Sequence, residues 1–315
     1  MSKLLMLMLL LCPVYADEPS QINMSHEFSN TSDGLKLKTN SITFETNRRD
    51  IFWNYEDAIE SANDLSFGVV RTDGEHLGEI SGNKLFAGYG KKWSKNSYTD
   101  FRAGVHNLEY RGVSSSTPYI ELGHKLRYGK NTLDMNIIYD YFYTSGGVPG
   151  PYENKLKKLQ SDISAVYTPK DFLRIPYGIK YSKISQDNSS NSQNVSVLAG
   201  SSYPIWFWLG YRLSRLSYDR RDTGYWSPEK FLSHGPQVEW SQVFFSKLTV
   251  KASYLYSFIK EDDFSSGNSY YASSALEYGS RNTWLIGASI FRNKSQQGSS
   301  EWWSEGGELY YKHSF

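Results

Sequence analysis

Apolar and polar residues alternate along most of this chain with a period of two. Over 133–144 one face carries Leu133, Met135, Ile137, Tyr139, Tyr141 and Tyr143, and the other Asp134, Asn136, Asp140 and Thr144. Over 248–258 Leu248, Val250, Ala252, Tyr254, Tyr256 and Phe258 oppose Thr249, Lys251, Ser253 and Ser257. Segments 207–214 and 284–290 repeat the pattern, with Phe207, Leu209, Tyr211 and Leu213 on one face and Trp284, Ile286, Ala288 and Ile290 on another. Side chains alternate across a strand and recur every 3.6 residues on a helix, so this period predicts β-strands.

Read throughout, the pattern gives about sixteen strands, an even number as bacterial membrane barrels require. The predicted spans are 20–29, 34–47, 62–72, 76–93, 97–112, 116–128, 131–144 and 156–168, then 172–186, 192–202, 205–219, 231–243, 245–260, 268–279, 282–294 and 305–315. Tight connections at 129–130, 168–171, 202–204, 246–247 and 280–281 alternate with long ones at 145–155, 187–192, 219–230, 261–269 and 293–302. Short periplasmic turns and longer outer loops produce that alternation. Segment 48–63 breaks it, being long where a short turn is expected, and reads as a periplasmic helix or a missed strand pair.

Composition decides where such strands reside. The chain has 25 Tyr, 16 Phe and 9 Trp, yet a mean hydropathy of only −0.55. A lipid-facing outer surface, aromatic rims and a polar lumen account for both at once. The fold class expected is therefore all-β, a transmembrane antiparallel barrel over 17–315 in a bacterial outer membrane, surrounded by its lipid. No later apolar run approaches the roughly 20 residues of a membrane helix.

Residues 1–16 read as a secretory signal. Lys3 precedes the apolar run 4–11, and Val14 and Ala16 supply the cleavage pattern. A lipoprotein signal ending at Cys12 is disfavoured by the bulky Leu11 before it. Cys12 is the only cysteine, so cleavage leaves no disulfide and no cysteine metal site. Loss of Lys3 leaves basic residues equal to the 33 acids, and a neutral chain lacks the positive footprint of a nucleic-acid binder.

Local catalytic patterns are absent, while Asp and Asp-His pairs assembled from different strands leave no local spacing to read. Ser233 and His234 are adjacent, so in a strand they face opposite ways. No His-Glu-x-x-His pattern and no phosphate-cradling glycine loop occurs, and nothing calls for a cofactor. The polar faces carry Arg102, His106, Glu121, Lys125, Asp134, Asp140, Lys180, Arg212, Lys251 and Lys312. These make a lumen lining of mixed sign, suited to a neutral or zwitterionic hydrophilic solute. Tyr225, Trp226, Trp302 and Trp303 are candidates for aromatic platforms at a mouth or for lipid anchors. At the C-terminus Gly307, Leu309, Tyr311, His313 and Phe315 share one face. An alternating last strand ending in Phe resembles the outer-membrane assembly signal, with Leu309, Tyr311 and Phe315 its apolar positions.

The stretch 216–240 resembles the C-terminal barrel domain of the exopolysaccharide export porins of cellulose synthase, the family of its outer-membrane component. The matching positions are Gly224, Tyr225, Trp226, Ser227, Pro228, Leu232, Ser233 and Trp240, followed downstream by Asn282, Trp284 and Gly287. The likeness covers roughly the last hundred residues. It implies an exopolysaccharide export channel, with 225–228 in the exit loop and a polysaccharide chain as cargo. That family carries a tetratricopeptide region before its barrel, and this chain has no such repeat. If the function carries over, a separate periplasmic scaffold or inner-membrane synthase complex is required. A diffusion porin for small hydrophilic solutes is the alternative, and an outer-membrane hydrolase a third. The start of a helix is expected at 227–229, with Ser227 as cap and Pro228 at its first position.

Overall fold

The computed structural model describes residues 20–46, 62–142, 154–203, 205–221, 225–262, 264, 266–280 and 283–314. Sixteen strands form one closed barrel, each paired antiparallel with its sequence neighbours, and the last closes on the first. They are β1 (Gln21–Thr31), β2 (Lys36–Glu45), β3 (Ala62–Glu75), β4 (Glu79–Ser94), β5 (Ser97–Tyr110), β6 (Val113–Tyr128), β7 (Asn131–Tyr141) and β8 (Lys157–Lys170). The second half comprises β9 (Leu173–Ile184), β10 (Asn188–Ser201), β11 (Trp206–Tyr218), β12 (Phe231–Phe244), β13 (Leu248–Glu261), β14 (Gly267–Ser280), β15 (Trp284–Gln297) and β16 (Ser300–Ser314). Closure pairs the backbone hydrogen-bonding edges that an open sheet would leave bare, the condition for crossing a bilayer with strands.

The alternation read from sequence sorts the two faces. On β5 the large apolar Phe101 and Val105 are exposed on the outside, while Asp100, His106, Leu108 and Tyr110 are buried within. The outer band continues through Leu85, Ile120, Leu122, Ile137, Leu209, Leu276, Ile286 and Ile290, all exposed. Exposed apolar side chains at this density suit lipid and not water.

Several boundaries differ from expectation. Segment 187–192 is not a long loop: β10 begins at Asn188, and Gln186 and Asp187 form the turn, both in the left-handed region (φ 71° and 57°). Segment 293–302 is likewise mostly strand, with only Gly298 and Ser299 between β15 and β16. Polar residues at the outer ends of strands emerge into water, so their composition reads as loop while their backbone stays in the ladder. Conversely β7 stops at Tyr141. Its pairing with β6 ends at Tyr139, and its pairing with β8 runs on to Tyr141. Freed on one side, the strand end curls over the lumen, and Tyr141 is 1% exposed, not on the lipid face. The signal segment 1–16 and nearly all of 48–63 lie outside the described residues, as do Gly224 and Phe315.

Candidate functional site: the barrel lumen

Inward positions fall into two unlike walls. The wall of β2 to β8 is charged. Arg102 on β5 lies 3.5 Å from Glu45, 3.7 Å from Asp100 and 3.5 Å from Glu121. Tyr119 donates to Glu121, and Tyr98 donates to Asp64 at 3.0 Å. Nearer the outer end, Lys84 Nζ donates to Asp140 Oδ2 at 2.6 Å, and His106 Nδ1 lies 2.6 Å from Asp140 Oδ1. Asp140 Oδ1 also accepts the Tyr141 backbone N–H at 2.7 Å, which fixes the inward turn of that strand end. Lys180 sits 3.9 Å from Asp162, and Asp134 is the cross-strand neighbour of Lys125.

Those side chains lie flat because glycine lies beneath them. A Cβ at Gly88 would fall 2.8 Å from Arg102 Cγ, at Gly90 2.1 Å from the Tyr98 hydroxyl, and at Gly123 2.4 Å from Asp100 Oδ1. Glycine in a strand permits this close approach and little else favours it there.

Between the walls, on β9 to β12, Arg174 pairs with Glu239 at 3.6 Å and lies over the rings of Trp206 (5.2 Å) and Trp208 (4.9 Å). Gln237 links Ser196 to Glu239 by hydrogen bonds of 3.1 and 2.6 Å. Arg212 donates to Ser214 at 3.2 Å.

The second wall, on β13 to β16 and β1 to β2, is lined by hydroxyls. Ser253 and Ser273 bond across strands at 2.7 Å, and Ser25 and Ser41 at 2.8 Å. Charged groups also stand on it: Lys251 and Tyr310 both donate to Glu277, at 2.6 and 2.7 Å, Glu27 is the cross-strand neighbour of Glu308, and Lys312 shares the inner face. Among these hydroxyls stands an aromatic pair. Phe291 is the cross-strand neighbour of the inward Ser273, and its ring covers Gly306. Tyr271 stacks beside it, with ring centroids 6.4 Å apart and planes 21° from parallel.

Tyr271 is unlike the other inward tyrosines. Tyr98, Tyr119, Tyr141 and Tyr310 each donate to a side chain. Tyr110 donates to the His76 carbonyl, and Tyr225 accepts from Asn188. Tyr271 is 39% exposed, and among the described residues its hydroxyl has no hydrogen-bonding partner.

The outer end is narrowed by two apolar clusters. Leu35, Ile80, Leu108, Tyr110 and Tyr141 form one, and Phe142, Leu156, Ile184 and Tyr225 the other. The segment 225–228 contributes unevenly. Tyr225 is 5% exposed, packed edge-on against Phe142 (5.1 Å), while its hydroxyl accepts from Asn188 Nδ2 at 2.6 Å. Trp226 is exposed at the rim, donates to Glu261 at 2.9 Å and packs edge-on against Phe231. Ser227 is buried, and the Pro228 carbonyl accepts from the Tyr218 N–H at 2.8 Å.

No helix forms at 227–229. Ser227 Oγ donates to the Tyr225 carbonyl instead of capping. The N–H groups of Glu229 and Lys230 are taken by the Asp262 carboxylate, at 3.3 and 2.6 Å. Arg221 completes that cluster with an ion pair to Asp262. Enclosure by itself would raise the Asp262 pKa, but the Arg221 hydrogen bond, the Lys230 N–H and the Arg221 charge prevail and hold it below the ordinary value.

Ser233 points inward, whereas His234 lies on the outer face beside Tyr211, whose hydroxyl is 2.6 Å from Nδ1. Trp302 faces the lumen side and Trp303 the lipid side, by the parity of β16. Leu309 and Tyr311 are exposed on the lipid face. Parity in the sequence places the ten lumen candidates on the inner face. It gives no hint of the partners Glu45, Lys84, Asp100, Asp162 and Glu239, because these are matched by register between strands. Tyr271, Phe291 and Asp262 escape a sequence reading for the same reason.

No family model matches the sequence, and no curated protein sequence matches it either. Among solved structures the chain is similar to one described as a bacterial polysaccharide outer membrane secretin, with a TM-score of 0.72 at 10% identity, covering 94% of this chain and 98% of that one. Pseudomonas aeruginosa OpdQ matches at a TM-score of 0.46 and 10% identity, over 95% of this chain and 99% of that one. The fold is that of a bacterial outer-membrane barrel. The likeness reaches the level of a sixteen-stranded barrel shared with a polysaccharide secretin, and not the cellulose synthase export-porin family itself.

Proposed function

We propose that the protein is an outer-membrane channel through which a largely neutral polysaccharide leaves the cell. The observation that carries this reading is the second wall, where hydroxyls flank a stacked ring pair, Tyr271 exposed and Phe291 half-buried. A pyranose has a flat face of C–H groups and an edge of hydroxyls. The ring pair offers a surface for the first, and serine hydroxyls offer exchangeable hydrogen bonds for the second. Such contacts are individually weak and repeated, which is what conduction of a polymer requires. On the opposite wall most charges are paired with each other, so little net charge is left to hold or repel a neutral chain. The fold shared with a polysaccharide secretin agrees with this reading, as does the resemblance of 216–240. Synthesis at the inner membrane would push the chain, and a periplasmic scaffold or synthase complex would deliver it.

The test is single-channel recording in planar bilayers, with a neutral linear hexasaccharide added on the periplasmic side. The expected result is reversible interruption of the current. Tyr271→Ala should shorten the interruptions by about fivefold, in line with an aromatic contact of about 1 kcal/mol, and Tyr271→Phe should retain them. A steady current indifferent to the saccharide would overturn the reading in favour of a diffusion porin.

A further inference from the structure

The outward face of the barrel carries a feature that transport through the lumen does not explain. Near the outer ends of β11, β12 and β13, Arg215 is the cross-strand neighbour of Leu232, and Leu232 is the neighbour of Lys260. The three form one row across the outside, cation, leucine, cation. The row below is Leu213, His234 and Phe258, with the His234 and Phe258 rings 5.7 Å apart. Leu213, Leu232 and Phe258 are all exposed.

A cleft of about 520 Å³ opens above this row, lined by Arg215, Lys230, Leu232 and Lys260 among others. A second, of about 260 Å³, continues down Leu232, His234 and Phe258. The acidic lining of the larger cleft is Glu229 and Asp262. Asp262 is already engaged by Arg221 and by two backbone N–H groups.

Among the described residues, no carboxylate lies within ion-pair distance of Arg215, Lys230 or Lys260. Two other outward cations near the outer end do have such partners: Arg71 with Asp73 at 2.8 Å, and Lys294 with Glu301 at 2.7 Å. Two strand spacings separate Arg215 from Lys260, about 10 Å between backbones, so their long side chains can converge on one group above Leu232. Two cations flanking an apolar residue repel each other unless an anion sits between them.

We infer that this cleft binds a phosphate-bearing lipid of the outer leaflet. The phosphate lies between Arg215 and Lys260 with Lys230 above, and an acyl chain runs down Leu232, Leu213 and Phe258. The occupant is a lipid and not a free anion because the apolar row continues directly below the cations, at the depth where strands leave the headgroup region for hydrocarbon. Basic clusters at a membrane surface recognise anionic headgroups on this principle.

The test uses the full-length protein in a zwitterionic, phosphate-free detergent, titrated with lipid A and followed by native mass spectrometry. Wild type is expected to retain bound lipid A. The Arg215→Gln/Lys260→Gln double variant should bind it roughly 10- to 30-fold more weakly. The charge-conserving Arg215→Lys/Lys260→Arg variant should stay within about threefold of wild type. Dephosphorylated lipid A, with the same acyl chains, should bind wild type no better than it binds the double variant. Heat-modifiable migration on gels verifies that each variant is a folded barrel. Equal retention of lipid A by wild type and the Gln double variant would overturn the proposal. So would displacement of lipid A by millimolar inorganic phosphate, which would make the cleft a free-anion site.

Discussion

The two walls of the lumen obey one parity rule and solve different problems with it. On β2 to β8 the inward positions hold ionised groups, and burying an ion is costly unless a counter-charge and hydrogen bonds accompany it. Arg102 with Glu45, Asp100 and Glu121 meets that condition by laying long side chains against the wall, over Gly88, Gly90 and Gly123. On β13 to β2 hydroxyls recur among the inward positions. Ser253 with Ser273, or Ser25 with Ser41, satisfy one another with short side chains and leave space above them. The charged wall is therefore a structural layer with fixed partners. The hydroxyl wall can exchange its partners for those of a passing solute.

This contrast can be broken most severely at Arg102. Its replacement by Ala leaves three clustered carboxylates without their cation, and should lower the barrel's unfolding free energy in urea by about 2–4 kcal/mol. Lys251→Ala on the other wall removes a 38% exposed cation beside Glu277, and should change stability by less than about 1 kcal/mol. Similar losses from the two variants would erase the distinction.

Gly90→Ala ranks next. The new Cβ meets the Tyr98 hydroxyl, which must then leave Asp64. The expected cost is about 1–3 kcal/mol, read as a lower urea midpoint with unchanged slope.

Asp262→Asn should release the segment 225–230 at about 1–2 kcal/mol, seen as faster proteolytic nicking there while the barrel remains folded. Because Asp262 has a lowered pKa in the folded protein, its contribution is present above the ordinary carboxylate value of 3.8 and is lost as pH falls below it. Wild type should thus become nickable in acid, whereas the Asn variant should be nickable at neutral pH as well. The smallest effect is expected from Ser253→Ala with Ser273→Ala. Removing both partners of an exchangeable bond should cost less than about 0.5 kcal/mol, with any measurable change confined to saccharide-induced current interruptions.

The connection between β11 and β12 shows how a motif can be legible while its role is not. The Gly-Tyr-Trp-Ser-Pro stretch reads as a structured outer loop, and parity puts it on the outer side. Yet the two adjacent rings have opposite fates. Tyr225 is enclosed by Phe142 and Tyr218 and held by Asn188, partners brought from the ends of β7, β11 and β10. Trp226 remains at the rim. The helix expected at Pro228 is displaced because Asp262, just beyond the end of β13, supplies a better acceptor for the same N–H groups.

The sequence by itself determined the number of strands, their antiparallel order and the face on which side chains within the regular ladder lie, because a period of two is a local property that every residue of a strand carries. It also determined that the lumen is polar and the outside apolar. Tertiary structure alone decided which charges meet, since register matches residues from different strands. It decided that Tyr141 turns inward, because β6 ends its pairing two residues before β8 does. It decided too that, among the described residues, Tyr271 is left open to the lumen and Tyr225 is not, for a hydroxyl is free or bound according to what the neighbouring strands bring within about 3 Å.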